Sequence, residues 1–231
     1  MEKESMSEVE SWFSKRNTLS EEKFKPLLPK ERIKEIFNTI SEDKLLVTSS
    51  FGTTSAILLH MLSEVKPGHP VHFINTTYLF KETLAYAEEL KDRLNLNIVE
   101  VKADVNKNRF TRKNKTWKYN QDLCCFINKV YPLESIKPNY DVWINGLLGF
   151  QNENRRNKKI FEQKNNILSF HPILDMTQEE VAMYFSFYDL PEHPLIEKGY
   201  ESIGCKHCTK KGKGRTGRWA DIAKTECGLH M

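Results

Sequence analysis

Between residues 44 and 103 the chain alternates short apolar runs with amphipathic stretches, and this alternation limits its folds more than any other feature. Lys44–Ser49 (KLLVTS), Val71–Asn75 (VHFIN) and Asn97–Ala103 (NIVEVKA) read as strands. Thr54–Val65 and Leu79–Leu94, which separate them, read as helices, the first closed by Lys66-Pro67-Gly68. Strands that alternate with helices build right-handed crossover units, so the expected class is α/β: a doubly wound, mostly parallel sheet covered on both faces. Tyr140–Gly146 adds a further strand. Upstream, Pro29 to about Ser41 forms a helix with Ile33, Ile36, Phe37 and Ile40 on one face. Downstream, Lys159–Gln163 and Ile167–His171 flank Lys164-Asn165-Asn166 and predict a hairpin. Thr177 and Glu180 have the spacing of a capping box. The Lys/Arg/Asn-rich stretch from Lys102 to Lys118 reads as an exposed loop. From Pro191 the periodicity fades and Gly199, Gly204, Gly212, Gly214 and Gly217 crowd together, as in an irregular tail folded over a site. The expectation is one domain over 1–231, with an N-terminal helical extension over about 1–40 and a tail over about 191–231.

With 231 residues, 39% hydrophobic, the chain can bury one substantial core. Lys and Arg outnumber Asp and Glu by 35 to 31, a net +4 that does not call for nucleic acid but suits a small anionic substrate. No apolar run reaches the roughly 18 residues of a membrane span, and the polar, acidic start MEKESMSEVESWFSKR has neither signal nor transit character. The expected location is cytoplasmic, with no membrane or nucleic-acid partner; the sequence is compatible with a homo-oligomer.

Ser49-Ser50-Phe51-Gly52-Thr53-Thr54-Ser55 joins a strand to a helix. Its glycine and small hydroxyl residues suit phosphate oxygens at a helix N-terminus, although an ordinary capped turn reads the same way. The absence of a G-K-[ST] ending disfavours a Walker-type ATPase. Five cysteines fall as a tandem pair (Cys124, Cys125), a C-x-x-C (Cys205, Cys208) and a single Cys227. C-x-x-C alone reads as half a metal site, a redox disulfide or chance, and the tandem pair as small buried hydrophobes. Together the four thiols satisfy either a structural zinc ion or a [4Fe–4S] cluster. Adjacent side chains diverge, which favours the several irons of a cluster over one tetrahedral ion. Cys227, in Glu226-Cys227-Gly228-Leu229-His230, is either a bystander thiol or a nucleophile; Arg215, Arg218, Lys224 and His230 nearby in sequence favour its thiolate.

From about Leu45 to His230 the sequence resembles the sulfonucleotide reductases, the adenylyl-sulfate and phosphoadenylyl-sulfate reductases. The likeness is carried by SSFGTTS (49–55), FINTTYLFKET (73–83), CCFINKVYPL (124–133), YDVWINGL (140–147), HPILDMTQEEV (171–181), LPEHPLIEKGYESIGCKHCT (190–209) and RTGRWADIAKTECGLH (215–230). It implies a PP-loop fold, relative of the adenine nucleotide alpha hydrolases, whose C-terminal tail carries the nucleophile and closes over the nucleotide. The Cys-Cys pair with C-x-x-C implies the branch that holds one [4Fe–4S] cluster on Cys124, Cys125, Cys205 and Cys208 and mostly reduces adenylyl sulfate. By the same resemblance Cys227 is catalytic and passes through an S-sulfocysteine that thioredoxin or glutaredoxin reduces, in assimilatory sulfate reduction. Ser50, Gly52 and Ser55 would cradle the phosphosulfate, Lys129 would face the substrate beside the cluster, and Arg215 and Arg218 would clamp the anion. Arg155 would contact the nucleotide and His230 would help to close the site. The chain departs from the family pattern G-L-R-R-D-Q-S-x-x-R at Leu148, Gly149 and Phe150, and carries Thr77 where a glycine is usual. A phosphoadenylyl-sulfate or dual-substrate reductase is the nearest alternative, an ATP-consuming PP-loop enzyme a remote one, and a zinc-binding interaction module a non-enzymatic one.

Overall fold

The computed structural model describes residues 18–164, 166–219, 226, 228 and 229. Among them one sheet contains β1 (Leu45–Ser49), β2 (Pro70–Ile74), β3 (Asn97–Val101), β4 (Val142–Ile144), β5 (Phe161–Lys164) and β6 (Ile167–Phe170), in the order β3-β2-β1-β4-β6-β5. Every neighbouring pair is parallel except β5 with β6, the antiparallel hairpin. The helices are α1 (Glu21–Phe24), α2 (Pro29–Thr39), α3 (Ser55–Val65), α4 (Lys81–Leu94), α5 (Val105–Lys113), α6 (Thr116–Tyr119), α7 (Gln121–Cys125), α8 (Tyr131–Ile136), α9 (Glu153–Arg156) and α10 (Gln178–Phe187). None of the described helices is long and apolar enough to cross a membrane.

β1 shows why the sheet is buried on both sides. Leu45 and Val47 join the core with Ile57 and Leu59 of α3, while Leu46 joins Leu133 and Trp143 on the other face. A strand apolar at successive positions must be covered twice, which the flanking helices do. α2 starts at Pro29 and buries Ile33 and Ile36; α10 is opened by the expected capping box, in which Thr177 accepts from Glu180 N.

The stretch 102–118 is not the loop that its charge predicts: it contains α5 and most of α6. The Asp104 side chain accepts from Asn106 N at 3.0 Å and Lys107 N at 3.1 Å, and Arg112 and Lys113 sit in the last turn. A capped start and cations at the carboxyl end offset a surface with few apolar residues. A π-helical turn, Phe126–Val130, follows α7 directly, and the sequence carries no signal for it. Among the described residues of the tail there is no long element; isolated bridges join Leu79 to Cys205, Tyr200 to Gly212 and Thr209 to Arg218.

Candidate active site

The strand order reverses between β1 and β4, and a cavity of about 160 Å³ lies beyond their carboxyl ends. Such a switch point is where doubly wound sheets bind ligands, because the loops there diverge to opposite faces. One wall is the loop between β1 and α3, where the first helical residue, Ser55, donates its N–H to Gly52 O at 3.1 Å. A Cβ on Gly52 would stand 3.5 Å from Ser50 Oγ and 3.9 Å from Ser55 Oγ, so the bare backbone keeps the space between the two hydroxyls open. The helix N-terminus behind it favours an anion. The opposite wall is Asn145-Gly146-Leu147, after β4. Asn145 is 3% exposed; its Oδ1 faces His171 Nδ1 at 2.8 Å, and its Nδ2 has no partner among the described residues.

The tail forms the roof. Lys210 N donates to Gly217 O and Trp219 N to Cys208 O, which folds residues 209–218 back on themselves and brings Arg215 and Arg218 into the cavity. Thr53 Oγ1 donates to Glu201 O at 3.1 Å and pins the loop to this roof. Arg218 is buried against the Trp219 ring, 4.4 Å from its centroid, and donates from Nη1 to Ile203 O at 2.9 Å. Its guanidinium packs on Gly204: a Cβ there would lie 2.6 Å from Arg218 Cζ. Among the described residues the titratable groups lining the cavity are Lys129, Arg155, Arg215, Arg218 and Glu226, four cations against one carboxylate.

That carboxylate is the feature least expected from sequence. Glu226, 3% exposed, accepts from Arg155 Nε at 2.7 Å and Nη2 at 2.9 Å, from Arg215 Nη2 at 2.8 Å, and from Asn152 Nδ2 at 3.1 Å. The remaining arm of Arg155, Nη1, donates to Gln151 Oε1. Thus the described donors of Arg155 face protein acceptors inside the cavity. Cys227 and His230 lie outside the described residues.

A second, smaller cavity lies beside the first and is lined by Cys124, Cys125, Cys205 and Cys208, with Thr76, Asn128, Trp117 and His207 around them. Burial first, and then the other three thiols, push Cys124 up to about 12; burial likewise pushes Cys208 up to about 11. Thr76 Oγ1 lies 3.1 Å from Cys205 Sγ, and Asn128 Nδ2 donates to Cys124 O at 2.9 Å. Trp117 and His207 stack over the opening with centroids 4.2 Å apart. Among the described residues no group of three or more His, Cys, Asp or Glu side chains is disposed to hold a metal ion. The four thiols nonetheless face one cavity from two segments, the donor set of a group with four attachment points. The π-helical turn puts Lys129 at the wall between, so that it lines both cavities.

Ser50, Gly52, Ser55, Lys129, Arg155, Arg215 and Arg218 are therefore gathered around one space. Sequence reading passed over Glu226, Gly204, Asn145 and Asn128. Glu226 left a signal, as an acid directly before Cys227 in a stretch with Arg215, Arg218 and Lys224; the others acquire meaning only from what they touch.

A glycine-bearing strand–helix loop and converging cations stand at the switch point, the place where proteins of the doubly wound α/β class bind nucleotides and phosphates. Residues 44–211 match the family "Phosphoadenosine phosphosulfate reductase domain". An adenosine 5'-phosphosulfate reductase of Bacillus cytotoxicus is 38% identical over 197 residues, 81% of this chain and 84% of that one. One from Salinibacter ruber is 32% identical over 228 residues, 95% of this chain and 90% of that one. The chain belongs to the phosphoadenosine phosphosulfate reductase family. Among solved structures, a phosphoadenylyl-sulfate reductase from Candida auris superposes with a TM-score of 0.70 at 24% identity, covering 82% of this chain and 94% of the other. The FMN adenylyltransferase of Candida glabrata gives 0.57 at 17%, covering 92% and 70%. These two likenesses are of fold, the PP-loop architecture that the sequence resemblance implies.

Proposed function

We propose that this protein is a cytoplasmic adenylyl-sulfate reductase of sulfate assimilation, an oxidoreductase that releases sulfite and AMP from adenylyl sulfate. The observation that carries the reading is Lys129, a cation shared by the anion cavity and the four-thiol cavity. The relatives' names support adenylyl sulfate over its 3'-phosphorylated analogue as the substrate. Cys124, Cys125, Cys205 and Cys208 would hold one [4Fe–4S] cluster, which supplies a charged, polarisable body behind Lys129 when bound.

Cys227 acts as the nucleophile. Its thiolate attacks the sulfur of the bound phosphosulfate, an S–S bond forms, and the S–O bond breaks with its electron pair leaving on AMP. A dithiol protein of the thioredoxin or glutaredoxin kind then attacks Cys227 Sγ and displaces sulfite; its second thiol resolves the mixed disulfide, is oxidised, and returns Cys227 to the thiol. An anion attacking a dianion needs charge control more than acid–base help. Ser50, Ser55 and the α3 N-terminus hold the phosphate oxygens, while Lys129 and Arg218 offset the negative charge in a half-dehydrated cavity. His230 closes the site.

The test is sulfite release with thioredoxin, from adenylyl sulfate and in parallel from phosphoadenylyl sulfate. Turnover of the first at least tenfold faster is expected; a preference for the second would replace the substrate assignment. Cys227→Ser should bind nucleotide and release no sulfite, since a hydroxyl cannot replace the thiolate at neutral pH.

A further inference from the structure

The cavity's arginines stand in different circumstances. Arg155 and Arg215 converge on Glu226, whereas Arg218 donates only to a backbone carbonyl among its described contacts, and its Nε has no partner there. Glu226 is itself buried and held by three residues, and it is one peptide bond from Cys227. Arg155 comes from α9, a short helix whose N-cap Asn152 also donates to the carboxylate, so the anchor point belongs to the body of the domain rather than to the tail.

We infer that Glu226 is a positioning residue: its carboxylate, seated between Arg155 and Arg215, fixes the chain one residue before Cys227, so these two arginines hold the tail while Lys129 and Arg218 face the anion. This rests on the reading of Cys227 as the nucleophile. It also reassigns Arg155 and Arg215, which the family resemblance places on the substrate. A buried carboxylate in bidentate contact with a guanidinium has a narrow range of orientations. A nucleophile displaced by about an ångström loses on the order of 10²-fold in rate, so an anchor one residue before Cys227 bears directly on kcat. The same arrangement gives the cavity its charge balance, since Glu226 neutralises one of four cations and leaves an excess suited to a dianion.

Glu226→Gln keeps the shape and removes the charge. In the purified full-length protein with its native metal content, kcat for sulfite release should fall at least tenfold. The KM for adenylyl sulfate and the Kd for AMP should stay the same or tighten by a few fold, because two arginines lose their counter-charge. Alkylation of Cys227 by iodoacetamide, followed on its own peptide, should accelerate several-fold as the tail is released. Glu226→Asp should recover part of kcat, and Arg155→Gln combined with Glu226→Gln should be no slower than the worse single variant. Equal losses in kcat/KM and in AMP affinity would reduce Glu226 to a structural residue, and unchanged kcat with tighter binding would make it a competing counter-ion only; either result overturns the inference. Should the wild-type protein neither bind nor reduce adenylyl sulfate, the functional reading fails by itself, while the alkylation rates still judge the anchor.

Discussion

Thr77 sits at φ 64°, in the left-handed region that favours glycine, the residue that the family resemblance leads one to expect there. The strain of a β-branched residue there is on the order of 1 kcal/mol. Local contacts offset it: Thr77 N donates to Asn75 Oδ1 at 2.8 Å, and the hydroxyl accepts from Asn108 Nδ2 at 2.9 Å and Arg112 Nη2 at 3.2 Å. Thr77→Ala keeps the strain and loses the hydroxyl bonds, whereas Thr77→Gly removes both. The glycine variant should therefore be more stable than the alanine variant by about 1 kcal/mol, read from urea midpoints at constant slope. Equal midpoints would show that the backbone there is unstrained. Single residues were legible in the sequence where their chemistry is scarce: thiols in pairs, or arginines near a thiol. Gly204 and Asn128 were not, because a glycine under Arg218 or an amide behind Cys124 looks like any other until the tail is folded.

At the scale of elements, periodic apolar residues located the strands and long helices to within about two residues, the usual fraying of element ends. The failures have physical causes. α5 depends on a cap and on contacts of its polar residues, such as Thr111 with Tyr78 at 2.8 Å, rather than on an apolar stripe. The π-helical turn is a local widening that no residue type announces. How α1 and α2 dock was likewise invisible, because its polar part centres on one side chain. Arg32 donates from Nε to Phe24 O at 2.9 Å, from Nη1 to Pro172 O at 3.0 Å and from Nη2 to Lys25 O at 2.8 Å, and it pairs with Asp175 at 2.5 Å. Three carbonyls thus accept from it, two of them in buried bonds, while the Asp175 side chain is 45% exposed. Arg32→Ala should cost about 3 kcal/mol of unfolding free energy, through the orphaned carbonyls. Asp175→Asn should cost about 1 kcal/mol, since the pair is screened on its acid side. Equal losses in the two variants would mean that the ion pair, not the carbonyl bonds, holds the segment.

For the whole molecule, the class of fold could be read from the strand–helix rhythm, but the strand order could not. Nothing local says that β4 lies beside β1 or that β6 comes between β4 and β5. The thiol cavity is a whole-molecule feature too, since its two pairs come from α7 and from the tail. Under the cluster assignment, protein purified without oxygen should contain about four irons and four sulfides per chain. Removing the iron with a chelator should leave the sheet's circular dichroism nearly intact while trypsin cuts first within residues 206–218. Simultaneous loss of both signals would show that the group supports the entire core.

The pairing of β1 with β4 joins Leu45 to Val142, although β2 and β3 and their helices are made in between. During synthesis, β1 can meet β2 and β3 early, but its other edge stays unpaired until the ribosome has delivered β4. An unpaired central strand such as LLVTS is a template for pairing with other chains. Slow translation or a pause before residue 142 therefore lengthens the interval in which this edge is exposed, and chaperone demand should track that interval more closely than it tracks the stability of the finished fold.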